Sequence, residues 1–88
     1  MKYEVIWKRK IDKQVSEMPE AEQKKFALLV KDLENKGPIQ KGWHNFSDLG
    51  KNKYHCHLSY HWVACWYCEK NSIVVEVTYA GSREKAPY

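Results

Sequence analysis

The stretch Tyr54-His55-Cys56-His57-Leu58-Ser59-Tyr60-His61-Trp62-Val63-Ala64-Cys65-Trp66 decides how this chain is read. Its aromatic and β-branched residues favour strands, yet it holds three of the four histidines. Side chains alternate along a strand, so His55 and His57 project from one face, and Cys56 and Leu58 from the other. Imidazole changes charge near neutral pH, so one side of a sheet gains groups able to take or give a proton.

Downstream, Glu69-Lys70-Asn71-Ser72 reads as a tight turn between strands over 62–68 and 73–80, so those two strands form a hairpin. In the last strand Ile73, Val75, Val77 and Tyr79 are expected to pack on helices, with Val74, Glu76 and Thr78 on or beside the histidine side. Residues 80–88 read as a polar tail ending in Tyr88. Upstream, Tyr3-Glu4-Val5-Ile6-Trp7 suggests a first strand. Ile11, Val15 and Met18 then fall at helical spacing. Pro19 stops that helix and suits the first turn of the next, where Glu20 and Glu22 favour the positive end of the dipole. Phe26, Leu29, Val30 and Leu33 form an apolar stripe, and Gly37-Pro38 ends it. Residues 38–53 read as loop, with Trp43, Phe46 and Leu49 tucked against the core.

The expected fold class is α+β with the order β-α-α-β-β-β. A helical hairpin covers one face of a small antiparallel sheet and leaves the other partly open. Eighty-eight residues suit one domain, 1–88, with a single core. No run approaches the ~18 apolar residues of a membrane span, and no signal peptide opens the chain. The odd count of three cysteines then fits free thiols in the cytoplasm. The net charge is +4, a mild excess concentrated in residues 1–18 and 37–57, which favours a polyanion without proving one.

The element order, with Leu49-Gly50 before Tyr54-His55-Cys56-His57-Leu58, Trp62-Val63-Ala64-Cys65-Trp66, and Val75-Glu76-Val77-Thr78-Tyr79-Ala80-Gly81-Ser82-Arg83-Glu84, resembles the RelE/ParE superfamily of bacterial toxins from toxin–antitoxin modules. The similarity runs over nearly the whole chain. It implies a ribosome-dependent endoribonuclease that cuts mRNA and is held inactive by a cognate antitoxin. It also implies that Arg83 and Tyr88 belong to the site. Two departures stand out. His55 and His57 occupy positions where RelE has lysines, which is closer to branches using ordinary acid–base chemistry. At the start of the third strand His61 or Trp62 stands where RelE has an arginine.

Cutting RNA without a metal needs a base for the 2′-hydroxyl, an acid for the departing 5′-oxygen and a cation for the phosphorane. The candidate catalytic set is therefore His55, His57, His61, Arg83 and Tyr88. Arginine grips phosphate through two donors and keeps its charge. Lys51, Lys53, Lys85 and Trp62 are candidate RNA contacts, by charge or by stacking. Trp66 and Trp7 fit the core better than a base platform, Lys8-Arg9-Lys10 fits a solvated face, and His44 is a minor loop candidate. Cys65-x-x-Cys68 invites zinc, but residues three apart on a strand face opposite ways and no second such pair exists. No metal or cofactor is expected. Two other functions compete: a ParE-like toxin acting on DNA gyrase, and a non-catalytic RNA-binding module. The cluster of acid–base side chains argues against the first.

Overall fold

The computed structural model describes residues 2–88. The order of elements is β1 (Glu4–Trp7), α1 (Arg9–Ser16), α2 (Glu20–Lys36), β2 (Ser47–Gly50), β3 (Lys53–His57), β4 (Trp62–Tyr67) and β5 (Val74–Ser82), followed by a 3-10 turn at Arg83–Lys85. The strands form one sheet in the order β1-β5-β4-β3-β2. β1 runs parallel to β5, and the other neighbours are antiparallel. The sheet is thus mixed and has one strand more than the sequence suggested. No helix among the described residues is long and apolar enough to cross a membrane.

The helices form where their apolar spacing lets one face sink into the sheet. Ile11 from α1, Phe26, Leu29 and Leu33 from α2, and Met18 between them are buried. They meet Cys56, Leu58, Ala64, Trp66, Cys68, Val75, Val77 and Ala80 in one core. Each fully buried large side chain contributes about 1.5–3 kcal/mol. The indole N–H groups are placed with equal care. Trp66 donates to the Pro38 carbonyl at 3.0 Å, Trp43 to the Asp32 carboxylate at 2.8 Å, and Trp7 to the Asp12 carboxylate at 2.9 Å. These bonds let large aromatics be buried without stranding a donor. Trp66 is a core residue, as its sequence context suggested, and Trp7 is half-buried and packs against the edge of the core.

Four local expectations are corrected. Residues 47–50 form a short edge strand, because Ser47 and Asp48 pair with His55 and Tyr54. Leu49 is exposed there instead of tucked in, since the register of β2 shifts between Asp48 and Gly50. Ile73 precedes β5 and is exposed. Tyr79 leaves the helix side because the β4–β5 register also shifts, with Cys65 opposite Tyr79 but Trp66 opposite Val77. Beyond that bulge Ala80 takes the core position. An extra residue in one strand reverses the facing of everything after it.

The end of α2 is fixed by Gly37, whose φ of +84° suits glycine. A Cβ there would lie 2.5 Å from the Tyr3 ring. The Gln40 amide, itself buried, donates to the Asp32 and Gly37 carbonyls and ties the following loop to the helix end. Replacing Gly37 with Ala should lower the unfolding free energy by about 1–3 kcal/mol through strain and crowding, as measured by urea denaturation.

Candidate active site

β3 supplies the centre of the site. Its core-facing residues pin its phase, so His55 and His57 emerge on the side away from the helices. They stand opposite Cys65 and Val63 on β4. Both rings are largely covered, each 8% exposed, and the Nδ1 atom of each is buried without a hydrogen-bond partner. Their ring centroids lie 5.8 Å apart. The chain after β5 folds back so that the Tyr88 ring sits edge-on to His55 at 4.2 Å. What looked like a polar tail in the sequence is a wall of the site.

His44 joins from the loop before β2. Its ring centroid is 6.1 Å from that of His57, and its carbonyl accepts the His57 N–H at 2.8 Å. Sequence reasoning ranked it low for lying in a loop. The available signal was its neighbour Trp43, which packs on the core and bonds to Asp32, so the loop cannot drift.

A second cluster flanks the first. The Arg83 guanidinium lies over the Tyr60 ring at 4.8 Å, and Tyr60 meets His61 edge-on at 4.6 Å. The Arg83 N–H donates to the His61 carbonyl at 2.7 Å, locking the end of β5 to the β3–β4 turn. The charge of Arg83 is one of the smaller influences that lower His57. Tyr60 and His61 are exposed.

The remaining candidates are dispersed. Lys53 precedes His55 by two residues and so shares its face, while Lys51 occupies the β2–β3 turn at φ 54°. Trp62 is directed otherwise: it packs against the core from the face opposite His55 and His57. Together with Lys85 it lines a cleft beside Gln14 of α1 and Glu17 just past its end, apart from the histidine row. Cys68 is in the core and Cys65 is not, so the two sulfurs lie on opposite faces.

Burial governs the charge states. It is the main force holding His55 below the usual imidazole range, followed by the nearby His57, while the backbone at Ser47 and His55 pulls weakly the other way. His57 is lowered by burial first, then by His44 and Arg83. Both rings are thus suited to accept a proton at neutral pH. Tyr88 is raised chiefly by burial, with Arg83 opposing, so its phenol keeps its proton. Burial also pushes the Cys56 and Cys65 thiols up to about 12, which leaves them protonated and poor nucleophiles.

No family model matches the chain, and no curated protein matches it. Among solved structures, a chain of the archaeal RelE-RelB complex from Pyrococcus horikoshii OT3 is similar with a TM-score of 0.75. The match covers 98% of this chain and 100% of that one at 16% identity. The fold is RelE-like. The solution structure of the conserved hypothetical protein HP0892 from Helicobacter pylori is also similar, with a TM-score of 0.55 at 17% identity. That match covers 93% of this chain and 96% of the other. At such identities the likeness is one of fold.

The lowered histidines make a prediction about stability. Their folded-state values lie below the unfolded value of about 6.5. The neutral rings therefore contribute fully above that pH, and the contribution is lost as pH falls through the folded values. Unfolding free energy from urea titrations should decline below about pH 6.5, with a shallower decline over the same window in His55→Phe. NMR titration of the imidazole protons should place both midpoints below the model-peptide value.

Proposed function

We propose that this chain is the toxin of a type II toxin–antitoxin module, a ribosome-dependent endoribonuclease that cleaves mRNA and so inhibits translation. The observation that carries the reading is the meeting of neutral His55 and His57 with protonated Tyr88, within electrostatic reach of Arg83, on the sheet face that the helices leave uncovered. The RelE-like fold supports it. So do the two partnerless Nδ1 atoms, since a buried polar atom left unpaired costs about 1–3 kcal/mol and such a cost is tolerated at functional sites.

In this reading His57 takes the proton of the 2′-hydroxyl as the 2′-oxygen bonds to phosphorus. The bond from phosphorus to the 5′-oxygen breaks, and that oxygen takes the phenolic proton of Tyr88. A 2′,3′-cyclic phosphate and a 5′-hydroxyl remain, and solvent returns the proton from His57 to Tyr88. Arg83 offsets the charge of the crowded phosphorane, as a guanidinium does without risk of losing its own charge. His55 backs the Tyr88 ring and, with His61 at the rim, shares the proton traffic. Lys51 and Lys53 flank the row where further phosphates would run, and Lys85 adds charge beyond the end of β5. Base, acid and cation all come from side chains, so the reaction needs no metal or cofactor.

A toxin of this kind needs a restraining partner, and we assign it a cognate antitoxin. An apolar groove of about 360 Å³ lies between β1 and the helices, lined by Trp7, Val15, Phe26 and Val30. It suits one face of an amphipathic segment.

The reading is tested by incubating purified variants with programmed ribosomes and mapping cuts in the message. His57→Ala should slow cleavage by about 10²–10⁴-fold, and Arg83→Ala by about 10²–10³-fold. Near-normal cutting by both variants would overturn the reading, as would a wild-type protein that spares message and blocks gyrase supercoiling.

A further inference from the structure

Beside the histidine row, on the side away from the β3–β4 turn, the open face holds a cleft of about 240 Å³ that shares only Tyr88 with the proton chemistry. Leu49 on the β2 bulge, Lys53, Cys65, Tyr67, Thr78 and Tyr88 line it. We propose that this cleft receives the unpaired base of the nucleotide flanking the cleaved phosphate, and so is where the protein senses RNA sequence. The proposal deepens the nuclease reading and rests on it for the position of that phosphate.

Location is the first argument. Cys65 is the cross-strand partner of His55, and Tyr88 is shared between the cleft and the histidine, edge-on to His55 at 4.2 Å. A nucleotide with its base in the cleft has its sugar and phosphate one strand spacing from the imidazoles.

Chemistry is the second. The phenol rings of Tyr67 and Tyr88 and the side chain of Leu49 present flat apolar surface, and the Cys65 thiol stays neutral. Single-stranded RNA is held by stacking its bases on such surfaces. Lys53 supplies a cation for the adjoining phosphate, and no Asp or Glu side chain lines the cleft. The cleft beside Trp62 contains Glu17, and the groove between the helices contains Asp12, so neither matches an anion as well.

Size is the third. The volume falls below the ~300–1,000 Å³ of pockets for drug-sized ligands, which restricts the cleft to a small group. The far side is firm, because Tyr54 and Trp66 stack with Phe46 and the Trp66 indole is bonded to Pro38.

The test titrates the whole protein with the four ribonucleoside 3′-monophosphates, and with ribose 5-phosphate as a probe lacking a base, following backbone amides by NMR. Saturable shifts at Leu49, Tyr67 and Thr78 with at least one nucleotide, and none there with ribose 5-phosphate, support the cleft as a base site. Equal shifts with both probes, or nucleotide shifts confined to amides outside the cleft, overturn it. Leu49→Trp, which fills the cleft from an exposed edge position, should weaken nucleotide binding by about tenfold or more. Tyr67→Ala serves where the larger side chain disturbs folding, and is expected to weaken binding in the same direction. Undiminished binding in a folded variant overturns the assignment.

Failure of the two readings is separable. Wild-type protein that leaves message intact yet binds nucleotides in the cleft refutes the nuclease and keeps the base site. Cleavage with an unchanged pattern of cut sites in Leu49→Trp refutes the base site and keeps the nuclease.

Discussion

The phase of β3 governs the rest of the site. Cys56 and Leu58 are buried against the helices, and because a strand alternates strictly, their burial forces His55 and His57 outward together. A slip of one residue would bury two imidazoles in the apolar core and expose the residues that now fill it, so the register is strongly specified. The pairing of His55 with Cys65 and His57 with Val63 extends this order onto β4. Reactive groups thereby inherit the rigidity of the sheet, which positions side chains more firmly than a loop does.

Holding two imidazoles nearly covered, with Nδ1 atoms lacking partners, works against stability. The opposite face offsets that cost. A continuous core from Ile11 to Ala80, three indoles with bonded N–H groups and the anchored C-terminus of α2 concentrate the favourable terms on the helix side. One face of the sheet thus serves cohesion and the other retains groups poised for chemistry. The same burial that costs stability keeps the histidines neutral and Tyr88 protonated.

Much of this architecture was legible in the residues. The stripe of Phe26, Leu29 and Leu33, the breaks at Pro19 and Gly37, and the alternation through His55-Cys56-His57 each express a local rule. What escaped were features created by pairing between distant segments. Ser47-Asp48-Leu49-Gly50 has the composition of a turn, and is a strand only because β3 offers it an edge. The bulge that redirects Tyr79 exists only once β4 and β5 are aligned. Trp62 carries no mark of which face it takes until β4 is paired. The fold-back of Tyr88 depends on a 3-10 turn at Arg83–Lys85 in a segment with no periodicity. His44 owes its place to the core packing of Trp43, which the sequence suggested, and to the bond from the His57 N–H to its carbonyl, which no spacing announces.

The last strand lies inside the sheet, hydrogen-bonded to β1 on one side and β4 on the other. Without residues 74–82, β1 and the helices meet β2, β3 and β4 only through the shared core, with no hydrogen-bonded seam between them. Closing that seam joins segments nearly a full chain length apart, which loop entropy makes slow. The docking of β5 is therefore the step that completes the sheet.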